Sequence, residues 1–190
     1  ILHPWESGYD NSPLWDKPMS KIKTELNLNY KRKDNKIVNQ SQRPLKIDYD
    51  RYVTIKNHLK EMNYDPKKLY FKSKFNVVDV GFNSLFLKAL KDMDFLLRCI
   101  DKRNSSIKKY ILLNESKLVK LFNSKKMTFK NKDIRNKKLV SIPSITNFFM
   151  LFADLNSNSI NKSLIKSLKR YTKNNKYLFP SINSKHKSFE

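Results

Sequence analysis

At 190 residues the chain fits one domain or part of a larger one, and no apolar run in it approaches the ~18 residues of a membrane span. The single Cys99 excludes an internal disulfide, and His3, His58 and His186 lie too far apart in sequence for a metal-ligand pattern, so no metal and no other cofactor is expected. The formal charge of +23 points toward polyanions, but only seven of the 40 basic residues are Arg, and the lysines are spread among Asn, Ser and Ile as an AT-rich coding sequence would spread them; the expectation is weak, salt-sensitive binding with no specific nucleic-acid partner.

The chain opens on its most informative stretch, HPWESGYDNSPLWD over residues 3–16. Both tryptophans, three carboxylates and one of the two glycines fall within it. Trp and Tyr faces give flat apolar walls for a sugar ring, and carboxylates bond its hydroxyls. An acid held against such a wall keeps its proton through desolvation, as a general acid requires. A plainer reading is a capped loop, with Ser12 as helix N-cap and Pro13 at the first helical position. That explains Asn11 to Pro13 and leaves Trp5, Glu6 and Asp10 unaccounted for.

The stretch resembles the HPWE-S/T-G-x-DNSP-R-W-D signature of family 63-type glycoside hydrolases, especially their mannosylglycerate hydrolase-like branch; family 37 trehalases carry a looser version. The resemblance implies an all-α chain, part of an (α/α)6 toroid of paired helices, with a short β-hairpin. It implies Asp10 as the general acid, Trp5 and Glu6 in the sugar-binding wall, and Asn11 and Ser12 positioning the acid. Leu14 stands where the family usually has Arg, a residue able to pair with a carboxylate or a substrate hydroxyl.

Lys17–Gln42 is polar, with alternation at Leu26–Tyr30 that predicts a short extended segment, then a basic loop at 31–36 whose charge reads as solvated. Ile47–Met62 follows as a helix, with Tyr52, Ile55, Leu59 and Met62 on one stripe and Asp48 and Asp50 in the first turn. Asn63-Tyr64-Asp65-Pro66 closes it. The segment DYDRYVTIKNHLKEMNYDP resembles the family's EYDRY…GYDP helix and turn.

Val77–Ile100 carries apolar residues over so broad a face that burial on two sides is expected, as for an inner-ring helix. Gly81 within it implies close packing or close substrate approach, and Cys99 reads as a small buried residue. VVDVGFNSLFLKALKDM resembles a family helix whose Asp and Asn lie near the active-site end, which implies substrate-binding roles for Asp79 and Asn83; a first-turn acid and a helix-bridging Asn explain the pair as well. Ser105–Phe122 is the next helix. Two strands, Lys126–Lys130 and Leu139–Ile142, are expected around a polar turn at 131–138. Pro143–Leu155 is a short apolar segment resembling the family's GLLPLFA helix, and Ile160–Tyr171 is an amphipathic outer helix.

The tail YLFPSINSKHKSFE resembles a family loop that a YWRGPVW segment follows. The chain begins at Ile1 rather than Met and stops before that segment. The expectation is therefore a single incomplete catalytic domain over 1–190, truncated at both ends. It would carry the general acid of an inverting glycosidase for glucosyl- or mannosylglycerate or an α-glucoside. Its general base would lie beyond Glu190, with a missing C-terminal half as partner and no activity alone. A basic polyanion-binding helical protein and a noncatalytic carbohydrate-binding remnant are the alternatives. No signal peptide is visible, and a cytoplasmic location is the expectation.

Overall fold

The computed structural model describes residues 1–36, 39, 43–173, 180 and 181. They form two compact units, Ile1–Val78 with Asp133–Lys138, and Asp79–Lys132 with Leu139 onward. The chain is mainly helical with small strands, as its sequence implies. Among the described residues no helix is long and apolar enough to cross a membrane. The tail from 177, apart from Pro180 and Ser181, lies outside the described residues.

The first unit opens with two 3-10 turns, Pro4–Ser7 and Pro13–Trp15, which run into α1 (Asp16–Ser20). Its main element is α2 (Lys46–Glu61), starting one residue earlier than the sequence predicts. The expected stripe of Tyr52, Ile55, Leu59 and Met62 is buried. Trp15 is buried as well, and meets Phe75 edge-on at 6.1 Å. The chain start is tied down by two main-chain bonds, from the Ile1 amine to the Val77 carbonyl at 2.7 Å and from the Val77 N–H to the Ile1 carbonyl at 3.0 Å.

Three expectations for this unit are corrected. Asp65-Pro66 does more than close α2. Asp65 accepts from the Lys67 and Lys68 N–H groups and starts α3 (Pro66–Lys72), because a carboxylate N-cap before a first-turn proline is also a start signal. The alternation at 26–30 makes no strand; Leu26 is exposed and Asn27 turns the chain at φ 58°. Nor is the basic loop simply solvated. Arg32 donates to Asp34 at 3.1 and 2.6 Å and to the Pro44 carbonyl at 3.0 Å, and lies 4.5 Å over the Tyr49 ring. These Arg32 bonds and a contact from Arg43 at 3.0 Å hold the Asp34 carboxyl well below its usual range.

The second unit is built on α4 (Val80–Cys99), packed against α5 (Ser105–Val119) and the short α6 (Phe149–Phe152). Val77–Val78 forms a strand, β1, so α4 starts three residues later than expected, where Asp79 supplies a cap. Gly81 allows close packing: a Cβ there would lie 2.7 Å from the Thr146 Cβ. Leu87, Leu118, Phe129, Met150 and Leu164 share one apolar core, the last from α7 (Asn158–Thr172).

Burial of α4 on both sides is not what this chain provides. Phe82, Phe86, Met93 and Leu96 are exposed, and so is Cys99, because the packed helices cover only the face bearing Val80, Ser84 and Leu87. The hairpin also differs. Thr128–Phe129 (β3) pairs antiparallel with Phe122–Asn123 (β2), through the partners Phe122 and Phe129. Those rings sit 5.2 Å apart, and this aromatic pair sets the register. Two further strands, β4 (Asn131–Asp133) and β5 (Lys138–Val140), occupy part of the expected polar turn, with Asn131 and Asp133 buried.

Candidate active site

The loop from His3 to Trp15 is held from several directions. The His3 ring caps the first 3-10 turn: its Nδ1 accepts from the Trp5 N–H at 3.1 Å, and its Nε2 lies 3.0 Å from the Tyr52 carbonyl. A backbone N–H only donates and a carbonyl only accepts, so the ring is neutral with its proton on Nε2. Burial lowers its pKa below the ordinary 6.5, against the opposing Tyr52 bond and the charges of Glu6 and Asp10. Gly8 ends the turn in the left-handed region at φ 69°. A Cβ there would meet nothing within 4 Å, so conformation and not space calls for glycine.

The peptide units around Asp10 are then pinned. The buried Trp15 indole donates to the Tyr9 carbonyl at 2.7 Å, and the Tyr9 N–H donates to Ser7 Oγ at 3.0 Å. The Tyr52 hydroxyl donates to the Asp10 carbonyl at 2.7 Å. Burial and the nearby Asp10 charge push the Tyr52 phenol well above its ordinary range, so it stays a donor. The Asp10 side chain is half-buried and has no hydrogen-bond or ion-pair partner among the described residues. A rigid main chain thus carries an uncommitted carboxyl group.

In the same loop Trp5 is 43% exposed. Its ring centroid lies 4.3 Å from His3, 5.8 Å from Tyr52 and 6.4 Å from Tyr49. Tyr49 in turn stacks on Tyr30 at 5.3 Å, and the Tyr30 hydroxyl donates to Asp50. Glu6 is exposed, one of its oxygens accepting from the Leu2 N–H at 3.0 Å. Asn11 is exposed, and Ser12 caps the second 3-10 turn by accepting from the Leu14 N–H at 3.3 Å. Leu14 is 2% exposed. It fills core space and offers no charge to a carboxylate.

Asp79 and Asn83 stand together in the second unit. Asp79 is 2% exposed. One of its oxygens accepts from the Phe82 N–H at 2.8 Å and the other from Asn131 Nδ2 at 2.9 Å. Burial raises its pKa, which these bonds oppose. Asn83 donates to the Asp79 carbonyl at 2.7 Å, and Asn131 Oδ1 accepts from the Val80 N–H at 2.9 Å. Asp79 is therefore committed to starting α4, while Asn83 keeps its carbonyl oxygen.

Of the residues chosen from sequence, Trp5, Glu6, Asp10, Asn11 and Ser12 share one loop of the first unit. His3, Tyr49, Tyr52 and Tyr30 were not among them. For Tyr49 and Tyr52 the spacing of three on one helix was a visible signal; His3 opens the HPWE signature, but its bond to the Tyr52 carbonyl depends on the fold. Among the described residues no group of three His, Cys, Asp or Glu side chains could hold a metal ion.

A family model described as the mannosylglycerate hydrolase MGH1-like glycoside hydrolase domain matches residues 1–190. Over its whole length the chain is 34% identical to a mannosylglycerate hydrolase of Thermus thermophilus, and covers 46% of that protein. It is 29% identical to mannosylglycerate hydrolase MGH1 of Selaginella moellendorffii, with 39% of that protein covered. A glucosylglycerate hydrolase of Mycolicibacterium hassiacum is 39% identical over 87 residues, 45% of this chain and 20% of that protein. Among solved structures, the GH63 mannosylglycerate hydrolase of Thermus thermophilus in complex with Tris and D-glycerate superposes with TM-score 0.93 at 34% identity, over 100% of this chain and 46% of that one. Its complex with glucose gives 0.91, with the same coverage and identity. The chain spans less than half the length of the curated relatives it matches.

Proposed function

Because the chain belongs to the mannosylglycerate hydrolase MGH1-like glycoside hydrolase family over residues 1–190, we propose that it forms the acid-bearing part of an inverting glycosidase domain. Its substrate class is glucosylglycerate, mannosylglycerate or a related α-glycoside. The observation that carries this reading is Asp10: its main chain is bonded by Tyr52, its neighbour Tyr9 by Trp15, and its carboxyl is uncommitted in the same loop as the half-exposed Trp5. The relatives' names support a glyceryl glycoside, and the glucose and D-glycerate complexes of the Thermus enzyme support a sugar and a glycerate as the two parts recognised.

In this mechanism the Asp10 carboxylic acid gives its proton to the glycosidic oxygen as the bond to the anomeric carbon breaks. A second carboxylate, roughly 6.5–9.5 Å away, takes a proton from the water that attacks the opposite face of the sugar. No acidic residue among the 190 fills that second place by motif, and we assign it to a segment of the domain outside them. Trp5 supplies the apolar wall, and Glu6 and Asn11 bond sugar hydroxyls. Ser12 holds the turn that follows the acid. Asp79 acts through α4, keeping the first turn in place so that Asn83 offers its carbonyl oxygen to substrate.

The test is a fusion in which these 190 residues replace the matching portion of the Thermus thermophilus mannosylglycerate hydrolase. The chain alone should hydrolyse neither glucosylglycerate nor mannosylglycerate, whereas the fusion should release glycerate in an Asp10-dependent way. Turnover by the chain alone, or a folded, active fusion indifferent to Asp10→Asn, would overturn the assignment. A second reading, carbohydrate binding without catalysis, is favoured by the buried Leu14 where the family usually has Arg. It would show as sugar binding by a fusion that never turns over.

A further inference from the structure

Within the second unit a cavity of about 220 Å³ opens between the β2–β3 hairpin, the segment 143–148 and the last turns of α7. We propose that it binds a small tetrahedral oxyanion, either inorganic phosphate or a phosphate monoester. Lys126 and Arg170 both line it, and the lining contains no Asp or Glu. Neither cation has a carboxylate partner among the described residues, whereas Arg43, Arg51 and Arg98 each meet one.

Charge alone would not make a site in a chain with 40 basic residues. What marks this cavity is the set of neutral donors gathered around its two cations. Thr128 is 8% exposed and Asn147 5%, and both line the cavity. The Thr128 and Ser167 hydroxyls make no hydrogen bond to another described residue. A helical serine commonly donates to the carbonyl four residues back, as Ser163 does to Ser159 at 2.9 Å, and Ser167 does not. Asn147 gives one amide proton to the Ser144 carbonyl at 3.1 Å and keeps the other. Ser167 and Arg170 stand three apart on α7, so they share a face. The Ser144 and Tyr171 hydroxyls are committed to the Ser181 and Pro180 carbonyls and act as framework. Phe148 and Tyr171, buried and edge-on at 5.2 Å, form an apolar wall beside which a charged hydrogen bond gains strength.

The donors select the shape of the anion. A planar carboxylate is satisfied by one guanidinium fork. Donors brought to one space by a hairpin, a turn and a helix suit three or four oxygens arranged as a tetrahedron. Two cations also match the charge of about −1.5 to −2 that a phosphate monoester carries at pH 7. The C-terminus of α7 opposes an anion with a partial charge of about −0.5, which two full positive charges outweigh.

The experiment is calorimetric titration of the 190-residue chain with inorganic phosphate and with glycerol 3-phosphate, at about 150 mM salt to screen the general field of the chain. Saturable one-to-one binding is expected. Ser167→Ala removes no charge and should weaken binding about three-fold or more, and Arg170→Gln about ten-fold or more. Lys108→Gln, on α5 and outside the cavity, removes the same charge as Arg170→Gln and should change the affinity less than about two-fold. Each variant is first matched to wild type in Tm without phosphate, so that a loss of fold is not read as a loss of site. Equal losses for Arg170→Gln and Lys108→Gln would reduce the binding to net charge and overturn the proposal, as would the absence of a saturable heat. So would D-glycerate binding as tightly as phosphate, since a carboxylate would then serve as well. Tighter binding of glycerol 3-phosphate than of phosphate makes a monoester the ligand, and the reverse makes it the free anion.

Discussion

Replacing His3 tests how the motif loop is held. In His3→Ala the Trp5 N–H loses its acceptor, and for this part-buried donor the loss costs about 1 kcal/mol. The Tyr52 carbonyl lies inside α2 and keeps its helical partner, so that second bond counts for about 0.5–1.5 kcal/mol. The sum is about 1.5–2.5 kcal/mol of lost stability at neutral pH. The loss depends on pH with a definite sign. The unfolded chain takes up a proton on His3 near pH 6.5, and the folded chain only at lower pH, because burial disfavours the charged ring and its Nδ1 is already accepting from Trp5. The stabilisation is therefore complete above pH 6.5 and shrinks as pH falls below it, by at most about 1.4 kcal/mol per pH unit. Urea unfolding followed by tryptophan fluorescence suits the question, since both tryptophans lie in the loop. The quantity to follow is the stability of wild type minus that of His3→Ala between pH 8 and pH 5, in which His58, His186 and the carboxylates cancel. A difference that stays constant, or grows toward acid, would refute the tautomer and the keystone role.

Other outcomes are expected on the same physical grounds. In the active fusion, Asp10→Asn should lower hydrolysis of a poor leaving group by ~10²–10⁴-fold and affect an activated leaving group far less; equal losses on both would remove Asp10 from the acid role. Gly81→Ala gains about 1 kcal/mol of helix propensity but sets its Cβ against the Thr146 Cβ, so a net loss of about 1–2 kcal/mol should appear in urea titrations. Thr146→Ser should not rescue it, since the offending Cβ remains. Asp79→Ala should cost about 2–4 kcal/mol through the lost cap and the unpaired Asn131 amide. Asp79→Asn should cost a comparable amount, because its NH2 would face either the Phe82 N–H or the Asn131 amide, both of them donors. Binding to a labelled DNA duplex should fall on the order of 10³-fold between 50 and 200 mM salt, with unrelated duplexes competing equally; a surviving sequence preference would revive the nucleic-acid reading.

Local patterns carried most of the architecture. Caps and stripes are properties of consecutive residues, so Ser12-Pro13 gave a real turn start, Tyr52 to Met62 a real buried stripe, and Ile160 to Tyr171 a real amphipathic helix. The family resemblance was equally local, since its strongest evidence sits in fourteen consecutive positions. What tertiary structure decided is what depends on partners distant in sequence. The register of the hairpin follows from Phe129 meeting Phe122 instead of a downstream strand. The work of His3 exists only because Tyr52, 49 residues away, presents a carbonyl to it. Arg32 reads as loop charge until Asp34, Pro44 and Tyr49 converge on it. On α4 the sequence declared two apolar faces, and the fold decided which one this chain covers. Hydrophobic periodicity states that a face will be buried, but only the packed neighbours determine against what.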